Sequence, residues 1–155
     1  MRTPEEPWSY GLFIPHDPRA VGVVRATIRH ILRAARLDCI VDTAELLVSE
    51  LVTNAYRNTT TDAYVSMDWE PTPPDFRVTV WDSGCGLPHP VAANAEDESG
   101  RGLTLVESCS DTWGVHDYTD KDSGVTGKAV WFTLNPPPPT MGQTGWTSAP
   151  SDRLT

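Results

Sequence analysis

Apolar residues follow two different periods along this chain, and each period predicts one kind of element. The run from Trp8 to Ile14 is strand-like and ends at Pro15. Asp17 and Pro18 then predict a helix start, because aspartate caps helices and proline suits the first helical position. Apolar residues at helical spacing predict the buried face of this helix. That face comprises Val21, Val24, Ile28, Ile31, Leu32 and Ala35.

A second helix is predicted to begin at Asp42. The Asp42 side chain is expected to be the N-cap, and Glu45, three residues later, completes a pattern similar to a capping box. The apolar residues that follow keep helical spacing and predict a buried face. That face comprises Leu47, Val48, Leu51, Val52 and Ala55.

The period then changes to two, which is typical of half-buried strands. Residues 63–70 and 76–81 alternate around a proline-rich turn at 71–75, and this arrangement predicts an antiparallel hairpin. A loop punctuated by glycines is predicted from 83 to 100.

The remaining elements are a short helix at about 101–110 and two strands near 112–118 and 128–134. The inward side of the short helix is predicted to consist of Leu103, Val106 and Cys109. This element order predicts an α+β two-layer sandwich, with a mixed, mostly antiparallel sheet and three helices on one face.

The length of 155 residues fits one domain. We expect an N-terminal extension over 1–7, the domain over 8–135 and a disordered tail over 136–155. The tail begins with four consecutive prolines, which continue neither a strand nor a helix. A polyproline ligand for an SH3-like partner is the alternative interpretation of this tail.

Composition limits the kinds of partner. Twenty-one acidic against twelve basic residues give a net charge of -9, which disfavours direct nucleic-acid binding but leaves a small anionic ligand open. No apolar run reaches the roughly 18 residues of a membrane span, and the N-terminus carries no apolar signal region. Three cysteines without a C-x-x-C pair argue against disulfides or zinc. We therefore expect a cytoplasmic protein.

The first candidate motif lies on the second helix. Glu50 and Asn54 are four residues apart, so they share a face at the edge of the core. Their oxygens suit Mg²⁺, which prefers such ligands and keeps several waters. An ordinary helix surface is the alternative.

The second candidate motif follows the strand that ends at Trp81. It consists of Asp82, Gly84 and Gly86. The carboxylate can accept a hydrogen bond from an exocyclic amine such as that of adenine, and the glycines let a ligand approach the backbone closely. A turn capped by the aspartate is the alternative.

The third candidate motif opens the short helix and comprises Gly100, Arg101, Gly102 and Leu103. Unpaired N–H groups at a helix start, together with an arginine, suit phosphates. A hinge before a helix is the alternative.

In this order and on these elements, the three motifs resemble the N, G1 and G2 boxes of the histidine-kinase-like (GHKL) ATPase superfamily, which has the Bergerat ATP-binding fold. The resemblance covers about residues 8–135. The segments ELVTNA, GRGLTLVES, DTWGV and GKAVWFTL are similar to those of the anti-sigma-factor serine/threonine kinases, in particular the actinobacterial single-domain type.

This resemblance implies binding of ATP with Mg²⁺. It implies that Glu50 is the general base, that Asn54 holds Mg²⁺, and that Asp82 binds the adenine amine. Gly84 and Gly86 would make room for the base, and Gly100 to Leu103 would bind the phosphates. Residues 87–99 would form a lid.

The implied partners are a STAS-domain anti-anti-sigma factor, on which a serine is phosphorylated, and a sigma factor that is sequestered. A homodimer is compatible with the resemblance. Two departures put turnover in question: Asn58 stands where relatives often have histidine, and Ala129 stands where many have a threonine thought to aid the adenine contact. A non-catalytic, ATP-dependent protein-binding module is therefore the alternative, and a redox-sensing domain that uses Cys85 or Cys109 is a more distant one.

Five arginines lie along one side of the first helix region, without an acidic residue among them. They are Arg19, Arg25, Arg29, Arg33 and Arg36. A solvated helix face is the default interpretation, and a docking surface for an acidic partner is the alternative.

Overall fold

Five strands and three α-helices form two layers in a computed structural model, which describes residues 4–82, 98–119 and 126–137. The elements are β1 (Trp8–Ile14), α1 (Ala20–Ala34), a 3-10 turn (Asp38–Ile40), α2 (Val41–Asn58), β2 (Ala63–Pro71), β3 (Pro74–Asp82), α3 (Glu98–Cys109), β4 (Thr112–Thr119) and β5 (Thr126–Leu134). Within the described part, no helix has the length and hydropathy needed to cross a membrane.

The strands form one sheet in the order β1-β2-β3-β5-β4. All four pairings among these strands are antiparallel, so the sheet contains no parallel pair in the described ranges. Helix α2 contacts α1, α3, β3 and β5, which places it at the centre of the helical layer. The predicted α+β two-layer sandwich is confirmed.

The core lies between the sheet and the helices, and the predicted helix faces are the ones that are buried. All five apolar residues predicted for the inner face of α2 are buried, and Val24, Ile28 and Leu32 of α1 have no exposed surface. Val21, Ile31 and Ala35 pack against the same cluster while partly exposed. Fully burying a side chain of this size contributes about 1.5–3 kcal/mol, so the amphipathic pattern determines how both helices pack.

The predicted start of α1 is wrong by two residues, although its chemistry is present. The helix begins at Ala20, and Arg19 occupies the N-cap position without a capping side-chain bond. Asp17 Oδ1 accepts a hydrogen bond from the backbone N–H of Arg19 at 2.8 Å, and Asp17 Oδ2 lies 2.8 Å from the guanidinium. These bonds, led by the side-chain bond from Arg19, lower the pKa of Asp17 to about 2. The aspartate therefore forms a turn just before the helix.

The predicted cap of α2 is also wrong. The helix begins at Val41, directly after the 3-10 turn, and Ile40 is its N-cap residue without a side-chain capping bond. Ile40 and Val41 are both buried, so packing extends the helix to a start before Asp42, which is exposed in the first turn. Glu45 does not complete a capping box but forms an ion pair with Arg29 of α1.

The arginines of the α1 region accordingly have different environments. Arg29 forms part of the α1–α2 interface through Glu45, and Arg19 is paired with Asp17. Arg25 and Arg33 are exposed on the same helix. The single positively charged face suggested by the sequence is therefore reduced by two local ion pairs.

Helix α1 ends in a Schellman motif with an arginine where glycine is usual. The Leu37 N–H donates a hydrogen bond to the Leu32 carbonyl at 2.8 Å, and the Arg36 N–H donates one to the Arg33 carbonyl at 3.0 Å. Arg36 has a φ of 61°, in the left-handed region. The buried Leu37 side chain fixes this reversal, because it anchors the residue after the turn in the core.

The later elements follow the predictions with small shifts. Strand β1 has the predicted bounds, and the turn between β2 and β3 is tighter than predicted because Pro71 pairs with Pro74. Helix α3 begins at Glu98, three residues earlier than predicted. Leu103 and Val106 face the core, whereas Cys109 is exposed, so its predicted inward orientation is wrong. The predicted tail from residue 138 onward lies outside the described residues.

Candidate nucleotide-binding site

The elements that carry the three predicted motifs are neighbours in the fold. Helix α2 contacts α3, β3 and β5, so the helix with Glu50 and Asn54 lies against the strand that ends at Asp82 and against the helix that contains Gly100 to Leu103. Helix α2 thus contacts both other elements that carry a motif, although the motif residues lie up to 53 positions apart in the sequence.

The first motif combines a half-buried acid with a buried amide. The Glu50 side chain is partly exposed. Asn54 is only 4% exposed, so it lies deeper than the predicted edge of the core. A partly exposed acid can exchange a proton, and a buried amide oxygen can bind a cation.

Asn58 is linked directly to this motif. Its Nδ2 donates a hydrogen bond to Asn54 Oδ1 at 2.8 Å, one helical turn apart on α2. The oxygen that would hold Mg²⁺ therefore already accepts one bond, and its second lone pair remains for a cation. Asn58, which stands where relatives often have histidine, therefore orients the Asn54 side chain.

The second motif contains a buried ion pair that sequence reasoning missed. Asp82 is 3% exposed and Lys128, at the start of β5, is 1% exposed. The two residues are register partners across β3 and β5, and Lys128 Nζ lies 3.5 Å from Asp82 Oδ1. Buried charges of this kind are normally paired, because burial without a partner is costly. The aspartate expected to bind an amine is thus held beside an ammonium group.

The strand register places position 129 away from Asp82. Ala129 is the register partner of Trp81 on β3 and of His116 on β4. Side chains alternate along a strand, so Ala129 lies on the face of the sheet opposite to Asp82 and Lys128. A hydroxyl at position 129 would not reach the Asp82 side. The residue of β5 that faces Asp82 is Lys128.

The third motif lies in the first turns of α3, as predicted. Gly100, Arg101 and Gly102 belong to this helix, and Leu103 is buried in the core at 1% exposure. The Leu103 side chain therefore anchors the helix start, and only its backbone is left to face a phosphate. Gly84, Gly86, Cys85 and residues 87–97 of the predicted lid lie outside the described residues.

The donor set fits Mg²⁺ held together with a nucleotide better than a metal held by protein alone. Among the described residues, no group of three or more histidine, cysteine, aspartate or glutamate side chains could hold a metal ion. Mg²⁺ commonly uses one or two protein oxygens and completes its shell with phosphates and water. The buried Asn54 oxygen and the nearby start of α3 fit that mode.

A family model described as the histidine kinase-like ATPase domain matches residues 14–134. The match includes β2 to β5, all three helices and every candidate site residue. A comparison with curated proteins found no match.

Proposed function

Because this chain belongs to the histidine kinase-like ATPase domain family, we propose that it is an ATP-binding regulatory kinase of the anti-sigma-factor type. Its substrate is a serine on a STAS-domain anti-anti-sigma factor, its cofactor is Mg²⁺, and its second mode of action is sequestration of a sigma factor. Domains of this family bind ATP, typically with Mg²⁺, and act as kinases or ATPases. The protein is proposed to act in the cytoplasm, as a monomer or a homodimer.

The observation that carries this proposal is the contact of α2 with both other motif elements. Phosphoryl transfer depends mostly on positioning and on charge stabilisation, so a few well-placed groups suffice. Asp82 would bind the adenine amine, with Gly84 and Gly86 beside the base. Gly100, Arg101, Gly102 and the Leu103 backbone would bind the phosphates.

Glu50 is proposed to be the general base. Its carboxylate takes the proton of the serine hydroxyl as the serine oxygen bonds to the γ-phosphorus. The bond from that phosphorus to the bridging oxygen breaks, and ADP leaves. A positioned base contributes about 10²–10⁴-fold to such a step. Asn54 would hold Mg²⁺, which neutralises the phosphate charge when it is bound.

The test is transfer of labelled phosphate from ATP to candidate STAS-domain proteins. Glu50→Gln is expected to lower transfer at least about 100-fold while ATP binding persists. Glu107→Gln is the matched control, since Glu107 is an exposed glutamate on α3, and it is expected to be as active as wild type. Absence of transfer to every partner tested, or equal activity of Glu50→Gln and wild type, would contradict the kinase proposal.

The bond from Asn58 to Asn54 favours a second candidate function, that of an ATP-dependent binding module without kinase activity. One lone pair of the proposed Mg²⁺ ligand is engaged, and this weakens the case for fast turnover. Calorimetry would then detect ATP binding, but no phosphate would be transferred to a partner. Glu50→Gln would capture the partner as well as wild type does. Partner capture that is equally strong with and without ATP would exclude an ATP-dependent binding module.

A further inference from the structure

The Lys128 side chain is a buried charge beside the candidate site, on the strand next to Asp82. It is 1% exposed, and its ammonium has no hydrogen-bond partner in the part of the chain that the structure describes. Among the described residues, the ammonium is paired with Asp82 Oδ1, at 3.5 Å, which is longer than a normal charge-assisted hydrogen bond. An ammonium has three donors, so this group retains donor capacity in a place where water is scarce.

The position of these donors is defined by the sheet. Asp82 and Lys128 face the helical layer as a register pair, and the next residue in the row on the β2 side is Ala63. Asp117 of β4 is the partner of Lys128 on the other side and lies on the same face of the sheet, but it is exposed and makes no hydrogen bond with the ammonium. Among the described residues, Asp82 is therefore the charged group paired with Lys128. The pair therefore presents an acceptor and a donor side by side.

We propose that Lys128 binds the nucleobase by donating a hydrogen bond to a purine ring nitrogen, while Asp82 accepts one from the exocyclic amine. This inference rests on the proposed function, and it assigns a base-specific role to a residue outside all three motifs. The adenine amine is flanked by the acceptors N1 and N7, so an adjacent donor and acceptor on the protein match either edge. A base bound in this way would satisfy a donor of Lys128 that the described protein groups leave unpaired.

The test compares ATP with 1-deaza-ATP and 7-deaza-ATP, in which a C–H replaces N1 or N7. Calorimetry with the full wild-type chain is expected to show about tenfold weaker binding of one analogue, the one that lacks the nitrogen bound by Lys128. Lys128→Met has a similar length but no donor. It is expected to bind ATP about tenfold more weakly and to bind ATP and that analogue equally well.

The same measurements separate this proposal from a purely structural role. If Lys128 is only the counter-charge of Asp82, Lys128→Met will weaken ATP and both analogues alike, and the discrimination shown by wild type will persist. That result, or equal binding of all three nucleotides by wild type, would overturn the proposal. Lys128→Arg keeps a positive charge beside Asp82 but moves the donors. It replaces Lys128→Met if the latter does not fold, with the same expected loss of discrimination.

Failure of the proposed function looks different. A wild-type chain that binds no adenine nucleotide would overturn both the nucleotide-binding proposal and the role of Lys128. A chain that binds ATP and both analogues with the same affinity would overturn the role of Lys128 alone.

Discussion

The Asp82–Lys128 pair allows a quantitative prediction about the stability of the ligand-free protein. Both side chains are 1% exposed, and the charged atoms are 3.5 Å apart. With an effective dielectric constant of about 20, two unit charges at that distance attract each other by about 5 kcal/mol. Desolvation of the two groups offsets much of this attraction, so the pair as a whole adds little net stability.

Removal of one partner is expected to be far more costly than removal of both. Lys128→Met leaves the Asp82 carboxylate buried beside a thioether, which is predicted to lower the free energy of unfolding by about 3–5 kcal/mol. The double variant Asp82→Asn/Lys128→Met removes both charges and is predicted to recover at least about 2 kcal/mol of that loss. A domain of ordinary stability, about 5–15 kcal/mol, tolerates either change.

Urea denaturation at pH 7 and 25 °C measures this effect, with the two single variants and the double variant forming a complete cycle. Arg77→Met is the control, because Arg77 is an exposed cation that stacks on Trp131 with 4.4 Å from its guanidinium carbon to the ring centroid. It is expected to cost about 1 kcal/mol or less. A loss below about 1 kcal/mol for Lys128→Met, or a double variant equal to the sum of the singles, would refute a strongly coupled buried pair.

Three further predictions follow from local geometry. Arg36→Gly is expected to raise the free energy of unfolding by up to about 1 kcal/mol, because glycine tolerates a φ of 61° at the helix end. Arg33→Gly, within the helix, should lower the free energy of unfolding by a similar amount. Urea denaturation would show whether the two changes have opposite signs. The Asp17 carboxyl should titrate at about pH 2 by NMR, and its pKa should move toward 3.8 in Arg19→Ala. Because the pKa is depressed in the folded state, the contribution of Asp17 to stability is present above about pH 4 and is lost as the pH falls to 2. An unchanged titration in the variant would exclude the ion pair as the cause. Ala129→Thr should leave the dissociation constant for ATP within about twofold of wild type, because this side chain lies on the outer face of the sheet, and a larger change by calorimetry would contradict that placement.

The sequence predicted those features that depend on local spacing. Glu50 and Asn54 share a face because they are four residues apart, and a helix has 3.6 residues per turn whatever surrounds it. The burial of Leu47 and Leu51 follows from the same period. Helix ends were predicted less well, because Ile40 and Val41 are buried and extend α2 beyond the start suggested by the cap chemistry of Asp42.

Position 129 shows where local reasoning reaches its limit. Strand side chains alternate between two faces, so a shift of one residue moves a side chain from the Asp82 side to the opposite side of the sheet. The motif by itself gave no information about which residue of β5 faces Asp82. Only the register between β3 and β5, which joins segments 46 residues apart, assigned that position to Lys128 rather than Ala129.

The amino-acid sequence alone therefore determined the element order, the buried faces of both long helices and the three motifs, because each depends on residues close together in the chain. The tertiary structure decided which side chains meet across the sheet and between helices. The ion pair of Asp82 with Lys128 and that of Arg29 with Glu45 are both of this kind. Such contacts depend on strand register and helix packing, which arise from the burial of the whole core rather than from any single segment.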